Sequence, residues 1–184
     1  MKERLIKELT STNRPDIAEL IEAMDDGGFF TAPCSGAHHL AEPEGLLKHS
    51  LNVLDYARKL NVALDTDISD ESITIVSLLH DLGKMGDYGK SNYTENYLKG
   101  GELSKAKPYI TNPNLSYIPH EVRSVAIAER YIKLTEAEEF AILYHNGLYG
   151  DFKYVISGRE TPLYMILHFA DMWCSRVVEI EGRE

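Results

Sequence analysis

The sequence is poor in the features that mark several protein classes. Its two cysteines, Cys34 and Cys174, form no CxxC pair, which excludes a disulfide framework and fits a reducing compartment. No apolar run approaches the roughly 18–20 residues that span a bilayer, and the N-terminal MKERLIKEL is amphipathic without a signal-like apolar core. A soluble cytoplasmic protein with no membrane partner is therefore expected. Positive charge is scarce: 19 Lys and Arg against 29 Asp and Glu leave a formal charge of −10, which repels a nucleic-acid duplex and argues against duplex DNA as a partner. Internal repeats, low-complexity tracts and Pro/Ser-rich linkers are also missing. With 43% hydrophobic and 26% charged residues, the 184 positions suit one globular domain, 1–184, with a sizeable core.

What is present is helical periodicity. Residues 2–9 and 15–25 read as short amphipathic helices, the second opened by Pro15 and ended by Gly27 and Gly28, so 1–28 forms an N-terminal helical segment. Residues 29–44 read as loop. From Gly45 to about Leu60 the spacing predicts a helix that places His49 on the same inward stripe as Val53 and Leu60. Residues 70–82, led in by Ser69 and Asp70 and halted by Gly83, form a second, strongly apolar helix. Pro119 opens another to about Tyr131, and Thr135 with Glu138 makes a capping box for a helix ending near Tyr144, with Glu136, Glu138 and Glu139 as a charge cluster at its start. Thr161 and Pro162 begin a last helix to about Glu179, in which Trp173 and Cys174 read as core.

No sheet is expected, so the fold class is all-α with one long irregular insertion, 85–118. Its glycines alternate with Tyr88, Tyr93, Tyr97 and Tyr109, and Lys90, Lys99, Lys105 and Lys107 give it positive charge in an acidic chain. The segment reads as a substrate lid that stacks bases on tyrosine, or else as a packed surface loop.

Histidine is the residue type that points to chemistry. His80-Asp81 closes a buried apolar helix, where a charged carboxylate costs several kcal/mol unless something compensates it. His49, His120, His145 and Asp171 lie in similar helical contexts, whereas His168 reads as structural. Four histidines and two carboxylates form a nitrogen and oxygen donor set suited to divalent Mn, Fe, Co, Ni or Zn, with one carboxylate able to bridge two ions.

The series His49, His80-Asp81 and Asp171 resembles the H…HD…D signature of the HD-domain metal-dependent phosphohydrolase superfamily, an all-helical fold, and the string Leu79-His80-Asp81-Leu82-Gly83-Lys84 strengthens the likeness. With His120 and His145 placed between the HD pair and the final aspartate, the pattern is similar to the six-ligand, two-metal branch. Gly45-Leu46-Leu47-Lys48-His49-Ser50, Pro119-His120-Glu121 and Tyr144-His145-Asn146-Gly147 also resemble the HD domain of YhaM-type 3′-5′ exoribonucleases. The likeness spans about residues 34–176 and leaves out the OB-fold domain with which those nucleases hold RNA.

The resemblance implies that His49, His80, Asp81 and Asp171 bind one divalent transition-metal ion, and that Asp81 bridges to a second held by His120 and His145. The implied reaction is cleavage of a P–O bond of a nucleotide, dinucleotide or short single-stranded nucleic acid by a hydroxide held between the ions. Lys84 would contact phosphate oxygens as charge develops, or cap its helix. His38 and His39 would contact substrate or protonate the leaving oxygen, and Arg123 would clamp phosphate. Two other chemistries share the same ligands: a di-iron oxygenase, and a non-catalytic nucleotide-binding module.

Overall fold

The computed structural model describes residues 1–150 and 152–180. Helices dominate, and their ends follow from local chemistry. Helix α1 (Lys2–Ser11) and helix α2 (Ile17–Asp26) bury Leu5, Leu9, Leu20 and Met24. Pro15 lies outside α2, which starts instead after Asp16 in the left-handed conformation. Helix α3 (Gly45–Ala63) carries His49 on its buried face with Val53 and Leu54. Helix α4 (Asp70–Leu79) is capped by the Ser69 hydroxyl, which accepts from Ser72 N at 3.1 Å, and its first turn carries Asp70 and Glu71 against the helix dipole.

Helix α5 (His120–Ala128) is shorter than its sequence pattern implies. Helix α6 (Glu136–Tyr144) has the expected capping box of Thr135 and Glu138. Glu138 does more than decorate the helix start: its side chain is buried and pairs with Arg14 at 2.7 Å, tying the α1–α2 connection to α6. Helix α7 (Pro162–Trp173), opened by Thr161 and Pro162, stops earlier than expected and passes into a π-helical turn, Cys174–Val178.

Helix α3 packs between α4 and α7, while α6 lies against α7, α5 and α4. One hydrophobic cluster joins them, running from Leu5 and Leu9 through Leu46, Leu54, Ile75 and Leu79 to Ile142, Leu167 and Cys174. Trp173, expected in that core, is 49% exposed because it sits on the outer face of α7, whereas Cys174 is buried. No helix among the described residues is long and apolar enough to cross a membrane.

The expectation of an irregular insertion is corrected in part. Strands β1 (Gly86–Asp87) and β2 (Lys90–Ser91) pair antiparallel, as do β3 (Tyr93–Glu95) and β4 (Tyr109–Thr111) in the register Tyr93 to Thr111 and Glu95 to Tyr109. The first hairpin turns through Tyr88 and Gly89, at φ 54° and 69°, the left-handed pair that a two-residue turn requires. The second is anchored to the loop before α3 by Tyr109 N donating to Gly36 O at 3.1 Å.

Candidate metal centre

The site lies where α3, the end of α4, α5, α6 and α7 converge. Helix α4 ends at Leu79, and Asp81 leaves helical geometry at φ −102°, ψ 11° before a 3-10 turn, Leu82–Met85. That break matters because neighbouring helical residues project about 100° apart. Leaving the helix allows His80 and Asp81 to face the same point.

His49, His80, Asp81, His120, His145 and Asp171, all expected as ligands, meet there. His49 Nε2 stands 3.3 Å from His80 Nε2, 3.2 Å from Asp171 Oδ1 and 3.5 Å from Asp81 Oδ2. His80 Nε2 is 3.4 Å from Asp81 Oδ2. The other carboxylate oxygen, Asp81 Oδ1, faces His120 Nε2 at 3.2 Å and His145 Nε2 at 3.5 Å, and those two ring nitrogens are 3.3 Å apart. Asp81 thus divides the donors into two groups, one at each oxygen.

The histidine tautomers are set from behind. His80 Nδ1 meets Ser77 O at 2.9 Å, His145 Nδ1 meets Ile142 O at 2.7 Å, and His49 Nδ1 lies 2.9 Å from Glu179 Oε2. His120 Nδ1 is 3.1 Å from Glu121 Oε2. Each of these partners is an acceptor, so Nδ1 carries a proton and each Nε2 faces the site, where an ion and a second proton compete for its lone pair. Lone pairs 3.3 Å apart repel unless a cation lies between them. Ligand atoms bonded at usual zinc distances stand roughly 3.3–3.7 Å apart in a tetrahedron, which the observed spacings match. Asp81 Oδ1 is buried with no hydrogen-bond partner of good geometry, a further orphan that a cation would satisfy. The donor set therefore fits divalent metal.

Charge follows the same pattern. Burial pushes Asp81 up, but Lys84, whose ammonium lies 2.6 Å from Asp81 Oδ2, and the facing imidazoles bring it well below the usual carboxylate range. Asp171 is likewise lowered against burial, by His49, His80 and His145. Despite burial, Cys34, Asp171 and Glu179 raise His49 and Asp81 raises His145, so protons and cations compete for the same lone pairs.

A cavity of ≈ 930 Å³ opens onto the centre, lined by His38, His39, Lys84, His145 and Asp171 from the expected site, by Lys48, Lys105 and Arg176, and by the carboxylates Glu42 and Glu179. His39 is pushed down to about 4, first by burial and then by His49 and Lys84, which leaves it neutral near pH 7. Arg123 does not reach this cavity. It is 2% exposed, donates to Ser116 O at 2.8 Å and points to Asp87, so it anchors the insertion and is not placed as a phosphate clamp. Of the insertion, Lys105, Ala106 and Pro108 line the cavity and Tyr93 lies close enough to Lys84, Asp81 and Cys34 to feel their charge, whereas Tyr88 and Tyr97 are exposed. Tyr149, from the turn after α6, is the aromatic side chain in the lining.

His168, read from the sequence as structural, lines the same cavity and supports the turn after α6. Its Nδ1 donates to His145 O at 2.8 Å, and Gly147, at φ +54°, has no room for a side chain because a Cβ would come within 2.3 Å of the His168 ring. Glu179 and Cys34 were not foreseen. Glu179 reaches His49 through the π-helical turn, in which Glu179 N donates to Cys174 O at 3.0 Å, and it also accepts from Asn52 at 2.8 Å. Cys34 Sγ lies 3.3 Å from His39 Nε2 and 4.0 Å from Asp81 Oδ2. A carboxylate at the end of a helix that also carries Asp171 was the only advance signal for the first, and the second had none.

No curated protein and no solved structure matches the chain. The likeness to YhaM-type nucleases accordingly gains no support beyond the quoted strings. The family model described as HD domain, however, matches residues 46–171, more than half of the sequence, and its limits enclose His49 and end on Asp171. On that match and that constellation of histidines and aspartates, the chain belongs to the HD domain family, within the metal-dependent phosphohydrolase superfamily.

Proposed function

We propose that the chain is a metal-dependent hydrolase that cleaves a P–O bond of a nucleotide, dinucleotide or short single-stranded nucleic acid. The observation that best supports this is the Asp81 carboxylate, whose two oxygens face separate imidazole groups while Oδ1 lacks a hydrogen-bond partner. In this reading His49, His80, Asp81 and Asp171 hold one divalent ion, and Asp81, His120 and His145 hold another. Divalent ions bound there supply Lewis acidity toward a phosphoryl oxygen and lower the pKa of water.

The chain's own residues provide the rest. Lys84 stays charged against Asp81, fixes that carboxylate, and offers its remaining protons to phosphate oxygens at the cavity floor. Lys105 favours an anionic ligand within a chain of net charge −10, while Lys48 on the same wall is paired with Glu42 at 3.5 Å. His39, held neutral, is suited to hydrogen-bonding the substrate more than to delivering a proton, and His38 shares the same wall.

The test is chromatographic product analysis of the Mn²⁺-loaded protein with a panel of nucleotides, dinucleotides and short oligonucleotides, beside the Asp81→Ala variant. Turnover of one class by the wild type, and none by a variant that keeps its helical circular dichroism, is the expected result. Silence across the panel would overturn the hydrolase reading and direct attention to iron and dioxygen, or to ligand sensing.

A further inference from the structure

We propose that Cys34 is a thiolate ligand of the ion that His49 helps to hold, with His39 beside it positioning the sulfur, giving this centre a softer donor set than imidazole and carboxylate alone. The proposal rests on reading the histidine and aspartate cluster as a metal centre.

Cys34, His39 and His49 place one donor atom each within 4.8 Å of one another, and Cys34 and His49 are fully buried. Cys34 Sγ and His39 Nε2 are 3.3 Å apart, a hydrogen-bond contact that fixes the sulfur beside the imidazole and lies within a few tenths of an ångström of the roughly 3.5–3.6 Å between sulfur and nitrogen ligands of one tetrahedral ion. The loop that carries them is closed on itself. Cys34 N donates to Leu40 O at 3.1 Å, the Ser35 hydroxyl donates to His39 O at 2.8 Å, and His38 N donates to the same hydroxyl at 2.9 Å. These bonds hold the thiol and the imidazole side by side against Asp81.

Lys84 Nζ lies 3.9 Å from the sulfur and 2.6 Å from Asp81 Oδ2, so a cation attends both groups, while burial pushes the Cys34 thiol up to about 11 and keeps its proton in place until an ion displaces it. Cys174 offers the contrast: it is equally buried but lies in the hydrophobic core and belongs to no such cluster. When an ion binds, Cys34 exchanges its thiol proton for the metal, and the proton leaves to solvent. A thiolate shifts preference toward Zn²⁺ and Co²⁺ over the harder Mn²⁺.

The experiment is titration of the metal-free full chain with Co²⁺, followed by absorption and by metal content. The expected result is a near-ultraviolet thiolate-to-cobalt charge-transfer band in the wild type. The band is retained in Cys174→Ser and lost in Cys34→Ser, which still shows the visible cobalt bands, and preference for Zn²⁺ over Mn²⁺ in Cys34→Ser falls about tenfold or more. Cobalt bound without a charge-transfer band, or a band that survives in Cys34→Ser, would overturn the proposal while leaving the metal centre intact. Failure to bind cobalt at all would overturn the metal-centre reading itself, and this proposal with it. Should Cys34→Ser not fold, X-ray absorption of the Zn²⁺-loaded wild type decides alone: sulfur scattering at about 2.3 Å supports the ligand, and its absence excludes it.

Discussion

Glu179 acts on His49 from behind, and its effect is separable from folding. A carboxylate on Nδ1–H fixes the ring and makes Nε2 a better donor. Glu179→Gln keeps an acceptor and the bond to Asn52 but removes the charge, so affinity for divalent metal should fall roughly 10–100-fold with helical content unchanged. Competition with a fluorescent chelator measures this, and unchanged affinity would reduce Glu179 to an anchor for the end of α7. His49, His80, Asp81 and Asp171 were legible in the sequence because a histidine or carboxylate in an apolar helix demands compensation. Glu179 was not, because its reach to His49 depends on the extra residue per turn of a π-helix, which no periodicity announces. Cys34 was not, because a single cysteine in a loop carries no spacing.

Among the elements, the contact that aligns the second imidazole pair is between the 3-10 turn and α5. Gly83 N donates to the Ser124 hydroxyl at 2.8 Å, and a Cβ on Gly83 would come within 2.3 Å of His120 O and 2.8 Å of Arg123 Cβ. Neither neighbour can swing aside, so Gly83→Ala must push α5 outward and draw His120 away from Asp81. A loss of about 1–3 kcal/mol in urea unfolding is expected. Metal content should fall with it, which mass spectrometry of the isolated variant would reveal. Full stoichiometry in a destabilised variant would confine Gly83 to packing. The helices themselves were readable from caps, as at Ser69, Thr135 and Thr161, where a side-chain oxygen meets a free backbone N–H. The strands were not. They span two or three residues each, too few to display alternation, and their pairing is set by the Tyr88–Gly89 turn and by contact with Gly36.

At the scale of the molecule, metal and protons draw on the same lone pairs, so thermal stability should depend on both together. An ion present at about 100 times its dissociation constant adds roughly 2.7 kcal/mol, which for a chain of this length raises Tm by about 5–11 °C over the chelated protein near pH 7. His49 and His145 are raised in the metal-free fold. Their stabilisation is present below the unfolded imidazole value and is lost as pH rises through the folded one, so acid supports the metal-free form at these two residues while protons displace the ion. Both effects narrow the gap between loaded and chelated protein as pH falls toward about 5. Further down, the sign reverses for the structural carboxylates. Asp87 is lowered chiefly by Arg130, and Glu138 is lowered by Arg14 and the Thr135 backbone against the effect of burial. The stability they contribute is present above the unfolded carboxylate range near pH 4 and disappears as they protonate, so both forms should unfold more readily there. Calorimetric scans with and without chelator across this range test the scheme. A gap that stays constant from pH 7 to pH 5 would mean that the ion is not held by these imidazoles.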